Sequence, residues 1–242
     1  MIKDRLVHYS KLVGPHGDSL ASLFRFQKKP NSDYPKIYLP FDSLLNHKSR
    51  LIRNTHRWLG EFLTREDIFE VQCTLACHDV PELVDGDVSR LAASDLQSES
   101  AINPLIELLL LPDDVTRYRD FLVAEDFLEH NGVSIPDSFY SLIARMMDTI
   151  DGNYFAFALL ENYAIKVWGD DFDSDLQKML DRSYAYVNKM RLRYRERIAL
   201  LSEYYDVDLD GILDHLQKVE VEKIDRFSET IEAQGYRTAS LV

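Results

Sequence analysis

The sequence is short of the residues that punctuate β architectures. Only nine glycines and eight prolines occur in 242 residues, and alternating Val/Ile/Thr runs are scarce, which argues against a sandwich or barrel. Two cysteines, Cys73 and Cys77, are too few for a disulfide framework. They stand four residues apart in one expected helix and project in parallel from it, so a disulfide suits them poorly. Core packing of two reduced thiols fits better, as does a reducing compartment. Long apolar runs are missing too: LIELLLLP at 105–112 contains Glu107 and is far too short to span a bilayer. The opening MIKDRLVHYSKL has no apolar stretch of the kind a secretory leader needs, so a cytoplasmic location without a membrane partner is expected. Cations are in the minority. The 28 Lys and Arg against 41 Asp and Glu give a net charge of −13, a surface that repels polyanions and disfavours a nucleic-acid polymer as partner. A small anionic substrate remains compatible, because a local pocket or a metal ion overrides the net field.

What is present is 45% hydrophobic content, enough for a sizeable core, arranged with helical periodicity. Residues 1–40 carry the breakers GPHGD, KKPNSDYPK and LPF and read as irregular. From Asp42 to about Leu63 the steps of three and four through His47, Leu51, Thr55, Trp58 and Phe62 predict a helix with those residues inward. Thr64 starts the next helix, with Asp67 as the second member of a capping box. That helix carries Ile68, Val71, Leu75 and Ala76, and Pro81 ends it near His78. Residues 83–104 form a polar connection. PDDVTRYRDFLVAEDFLEHNG predicts a helix capped by Asp113 or Asp114 and stopped at Gly132. A long helix runs from about Ser138 to WGDD, and two or three more fill the last 70 residues. The expected fold class is all-α: an irregular segment over 1–40, a core over 41–168 and a helical extension over 169–242 packed on that core.

The stretch LACHDVPELVDGDV, residues 75–88, sets His78 beside Asp79 with Glu82, Asp85 and Asp87 close behind. Imidazole and carboxylate donors on helices suit a divalent ion that keeps positions open for water and substrate. Adjacent residues lie about 100° apart on a helix, so both reach one ion only over the helix end. Further donors must come from elsewhere, and His47 and Asp148 are candidates. His56, nine residues beyond His47, falls about half a turn round and is expected to face solvent. Asp151 rivals Asp148 from one turn later, and a solvated helix acid is the alternative for either.

The order His47, His78-Asp79, Asp148 resembles the H…HD…D pattern of HD-domain phosphohydrolases, and the details resemble their 5′-deoxynucleotidase branch. NHKSR is similar to the branch's first motif, with Arg50 three residues after the histidine. HDVPELVDGDV is similar to its HD-x-x-E-x-x-x-G-D segment. The resemblance covers roughly residues 40–165 and implies an HD-domain helical bundle in which His47, His78, Asp79 and Asp148 hold one divalent ion (Mn, Co, Zn, Fe, Ni or Mg). It further implies that Glu82 orients or deprotonates a water and that Asp87 protonates the departing sugar oxygen. Arg50, and Arg25 from a basic cluster with Lys28, Lys29 and Lys36, become candidates for substrate contact; a solvated loop is the alternative for the cluster. Asp85 has no place in the string.

The implied activity is metal-dependent removal of phosphate from a nucleoside 5′-monophosphate, a deoxynucleotide by preference, in a homodimer. Two alternatives stay open. One is cleavage at a pyrophosphate or triphosphate by the same groups; the other is a non-catalytic nucleotide-sensing module. A second acidic motif, DVDLDGILDHLQ at 206–217, matches the first half of a calcium loop, but Gln217 stands where a bidentate glutamate is needed. A turn capping the following helix is the expectation there.

Overall fold

A computed structural model describes residues 20, 42–80, 83, 109–166, 174–201 and 203–241. These residues are all-α: six helices, with no strand among them. The helices are α1 (Leu44–Leu59), α2 (Arg65–Cys77), α3 (Pro112–Glu129), α4 (Phe139–Lys166), α5 (Ser174–Ala199) and α6 (Leu209–Ala233). No helix among the described residues is long and apolar enough to cross a membrane. The chain divides into two compact units. One holds the residues up to Ala124 with Ile135–Ala144, and the other holds Glu125–Ser134 with Arg145–Val242.

In the first unit, α1 starts at Ser43, whose hydroxyl accepts from the Asn46 amide, and buries a broad face through Leu44, Leu51, Ile52, Thr55, Trp58 and Leu59. His56 is exposed, as its angular position requires. Phe62 departs from expectation: it is 38% exposed. The helix stops at Leu59, and Phe62 lies in a turn in which its amide bonds the Leu59 carbonyl. Helical phase therefore no longer governs where that ring points, and Leu63 is buried instead.

The capping box at α2 is complete. The Thr64 hydroxyl accepts from the Asp67 amide at 3.2 Å, and Asp67 Oδ2 accepts from the Thr64 amide at 3.2 Å. Ile68, Val71 and Leu75 are buried as predicted, and α2 packs on α1, with the Gln72 amide donating to the Ile52 carbonyl at 2.8 Å. The buried thiol of Cys77 meets Tyr118 of α3, with Leu110 and Leu122 packed alongside. Both cysteines are free and buried. Burial pushes Cys73 up to about 11 and Cys77 up to about 12, which suits packing rather than reactivity.

Helix α3 begins two or three residues earlier than expected. Pro112 opens it, and Asp113 and Asp114 lie within the first turn instead of outside as caps. Proline's fixed φ and missing N–H suit that first position, and the two carboxylates then face the positive end of the helix dipole. Asp120 of α3 accepts from the amides of Asp137 (2.6 Å) and Ser138 (3.1 Å), so it satisfies the backbone where α4 starts.

In the second unit, Phe157 of α4, Tyr184 and Val187 of α5 and Ile224 of α6 form a buried cluster, with Phe227 and Leu241 packed on it. Polar links set the register of α5 against α6. Arg191 donates to the Gln217 carbonyl (2.8 Å) and to Glu220 Oε2 (3.1 Å), while the Gln217 amide donates back to the Arg191 carbonyl (3.0 Å). Asn153 of α4 donates to Glu220 Oε1 at 2.8 Å. Glu220 is buried, and burial pushes its carboxyl up against the pull of Asn153 and Arg191. At the far end of α6, Gly235 adopts φ 87. Its amide bonds the Glu232 carbonyl and the Tyr236 amide bonds that of Ile231, a pairing that needs a left-handed residue and so glycine. The segment beyond returns along α5, where the Gln177 side chain accepts from the Arg237 amide and donates to its carbonyl, both at 2.9 Å. At the near end, Asp208 accepts from the Gly211 amide at 2.9 Å and caps α6. The acidic motif there behaves as the capping turn that was expected.

The capping box yields a stability prediction. The Thr64 hydroxyl holds the Asp67 carboxyl below its ordinary value, with burial opposing and Tyr140 assisting. Thr64→Ala is expected to lower the unfolding free energy by about 1 kcal/mol near neutral pH. A depressed carboxyl stabilises above its unfolded pKa and stops doing so as pH falls through its folded value. The gap between urea melts of wild type and variant should therefore narrow as pH falls below about 4; a gap that stays constant down to pH 2 would contradict the assignment.

Candidate metal centre

Three of the predicted donors meet inside the first unit. His47 projects from the first turn of α1, His78 is the C-cap of α2, and Asp79 follows it. The three are 1%, 5% and 4% exposed. The end of α2 explains how adjacent residues face one point: His78 keeps a helical backbone, and the Val80 amide bonds the Cys77 carbonyl at 3.2 Å, tightening the chain. Asp79 then offers one oxygen to each imidazole. Oδ1 lies 3.0 Å from His78 Nε2, and Oδ2 lies 3.7 Å from His47 Nε2. The rings stand 5.5 Å apart at 64°, and Phe121 of α3 packs on His78 at 5.3 Å.

A backbone carbonyl decides the tautomer of His78. Its Nδ1 lies 2.8 Å from the Leu75 oxygen, which only accepts, so Nδ1 carries the hydrogen. Neutral His78 would then aim the Nε2 lone pair at Asp79 Oδ1 across 3.0 Å. Two acceptors at that range repel unless a proton or a cation lies between them. A histidine whose other nitrogen is tied to a carbonyl is the arrangement that presents Nε2 to a metal.

The donor separations suit one ion. Donors each about 2.1 Å from a common centre stand roughly 3.0–3.4 Å apart in octahedral or tetrahedral arrangements. One donor atom from each of His47, His78 and Asp79 lies within 4.8 Å of the other two, close enough to share an ion. Two neutral nitrogens and one carboxylate oxygen suit a borderline or hard divalent ion.

Of the other predicted residues, Arg50 and Asp148 are among those described. Glu82, Asp87, Asp85 and Arg25 fall outside them. Arg50 sits on α1, where its guanidinium grips Asp42 in a two-pronged pair, Nη1–Oδ1 3.0 Å and Nη2–Oδ2 2.7 Å. Asp148 belongs to the second unit, where Arg145 donates to its Oδ2 at 2.5 Å. Asp148 and its rival Asp151 are both buried, so neither is a solvated helix acid. Arg145 also forks onto Glu129 (2.9 and 2.8 Å), with Glu125 at 3.9 Å, while Thr149 donates to Glu129 Oε1 at 2.7 Å and Tyr194 bonds the same oxygen. The Arg145 guanidinium, the Thr149 and Tyr194 hydroxyls together hold Glu129 below the usual carboxylate range against its burial.

Sequence reasoning missed Lys48, which is 1% exposed beside His47. A signal was present, since Leu44, Lys48, Leu51 and Thr55 share one helical stripe, and all four are buried. Lysine's usual place at the surface hides that signal.

No family model matches this chain, and no curated protein or solved structure matches it either.

Removing the cation from the Arg145 network leaves several buried carboxylates uncompensated. Arg145→Met is expected to destabilise the protein by about 3–5 kcal/mol in urea melts. A loss below about 1 kcal/mol would mean the network is held by its hydroxyls and packing alone.

Proposed function

We propose that the protein is a metal-dependent phosphohydrolase that removes phosphate from a nucleoside 5′-monophosphate. The observation supporting this most is the convergence of His47, His78 and Asp79 on one buried point, in the order and spacing of the HD-phosphohydrolase resemblance. A divalent ion held there supplies Lewis acidity, which polarises a phosphoryl oxygen and eases deprotonation of water. His47 and His78 provide the neutral donors, the Leu75 carbonyl keeps Nε2 of His78 directed at the site, and Asp79 provides the anion. In the reading drawn from the resemblance, Glu82 takes a proton from the attacking water. Asp87 gives one to the sugar oxygen as the P–O bond breaks, so that water and phosphate ester become inorganic phosphate and nucleoside. Asp148 is the remaining ligand that the resemblance assigns. Nucleotide and deoxyribose preference follow from the resemblance, as does the homodimer, while the cytoplasmic location follows from the opening sequence and the reduced cysteines.

The purified protein with Mn²⁺ is expected to release inorganic phosphate from dAMP or dUMP. Glu82→Ala should lower that rate by about 10²–10⁴-fold, the usual contribution of a positioned acid–base group, and Asp79→Asn should reduce it at least as far by weakening the ion. Release of pyrophosphate or tripolyphosphate from a triphosphate instead would keep the site and move the bond cleaved. Wild-type rates in both variants would sink the assignment.

A further inference from the structure

Arg50 stands three residues beyond His47 on α1, so the two side chains are neighbours on one side of the helix. Side chains on a helix lean toward its N-terminus. Arg50 accordingly reaches back across the turn that carries His47 and forks onto Asp42, just ahead of the Ser43 cap, at 3.0 and 2.7 Å. The Asp42 carboxylate is buried, at 3% exposure. A phosphate could claim both prongs of the fork only by displacing that carboxylate, which would leave it buried and uncompensated. The pair also lies close to His47: an Asp42 oxygen and a ring nitrogen of His47 stand within 4.8 Å of each other. His47 meanwhile directs Nε2 at Asp79, 3.7 Å from Oδ2. An imidazole that gives Nε2 to an ion carries its hydrogen on Nδ1, and a carboxylate commonly holds such an N–H and so fixes the ring. The fork takes two acceptor positions on Asp42, and a carboxylate has about four.

We propose that Arg50 is a positioning residue: it holds Asp42 behind His47, and Asp42 fixes the His47 imidazole for a divalent ion. This role replaces the substrate contact that the resemblance implies for Arg50, and it rests on the metal-centre reading above. The two histidines need different supports because they sit at opposite kinds of helix end. His78 has the Leu75 carbonyl 2.8 Å from its Nδ1, and Leu75 lies in the last turn of α2, where carbonyls lack helical partners. His47 lies in the first turn of α1, where carbonyls are taken by the helix itself, as the Ser43 carbonyl is by the His47 amide. A side-chain acceptor is needed there, and Asp42 supplies one. Arginine suits the task because its planar fork fixes the plane of the carboxylate as well as its position.

Calorimetric titration of the full chain with Mn²⁺, then of the Mn²⁺-saturated protein with inorganic phosphate, separates the two roles. Arg50→Gln and Asp42→Asn are each expected to weaken Mn²⁺ binding by about 10–100-fold, the usual loss when the group supporting a ligand histidine is removed. The double variant should lose no more than the larger single loss, because both changes remove one arrangement. Phosphate affinity of the saturated variants should equal that of wild type. Arg50→Lys keeps the charge without the fork and is expected to lose Mn²⁺ affinity too, by about threefold or more. Weaker phosphate binding by the saturated Arg50→Gln protein would make Arg50 a substrate contact and overturn the proposal. Unchanged Mn²⁺ affinity in folded variants overturns it as well, and a lowered melting temperature then marks the pair as a structural anchor for the start of α1. If neither Arg50→Gln nor Asp42→Asn folds, Arg50→Lys decides by the same comparison, and its own failure to fold also overturns the proposal. A wild-type protein that takes up no Mn²⁺ sinks the metal-centre reading and this inference together; uptake by wild type with no change in the variants sinks this inference alone.

Discussion

The Asp79 carboxylate, buried with an imidazole nitrogen near each oxygen, is the constraint on which the first unit turns. A carboxylate taken out of water must be answered by hydrogen bonds, a cation or a proton. The end of α2 delivers it to that position. The capping box at Thr64 fixes where the helix begins, thirteen residues carry it to Cys77, and the tightened backbone at Val80 turns Asp79 toward α1. His47 comes from the opposite direction, on a helix begun by Ser43. Two well-defined helix ends, each with its own local chemistry, thus bring distant parts of the chain to one point.

The second unit solves the same problem with internal cations. Arg145 answers Glu129 and Asp148, and Arg191 answers Glu220. In each case hydroxyl or amide groups take up remaining acceptor capacity, Thr149 and Tyr194 at Glu129 and Asn153 at Glu220. Such networks are a weak source of net stability, because desolvation offsets most of the attraction. What they supply here is register, since each carboxylate finds its partners at one alignment of the helices only. In the first unit, by contrast, two imidazoles flank the Asp79 carboxylate. That difference suits the Asp79 site to holding a cation and the Glu129 site to fixing helix register.

Local rules made much of this legible. The Thr64–Asp67 box, the buried stripe of Leu51, Thr55 and Trp58, the exposed His56, the two inert cysteines and the capping turn at Asp208 all follow from spacing and side-chain chemistry within a few residues. The pairing of His47 with His78 and Asp79 was reached through a resemblance, because nothing in a helix's own sequence says which other helix it meets. Features that depend on such meetings stayed hidden: the Arg50–Asp42 pair, Arg145 on Glu129 sixteen residues away, and Asp120 satisfying the start of α4. Phe62 misled because apolar periodicity continues past the point where the helix stops at Leu59. Lys48 stayed hidden because a lysine is ordinarily at the surface, whatever its position in the stripe.

X-ray absorption on the Co²⁺-loaded protein tests the metal centre most directly, because it reads the ligands rather than the turnover. Two imidazoles and oxygen donors are expected around the ion in wild type, with one imidazole lost in His47→Gln. A spectrum without imidazole scattering, or one that His47→Gln leaves unchanged, would contradict the assignment of His47, His78 and Asp79 as the centre.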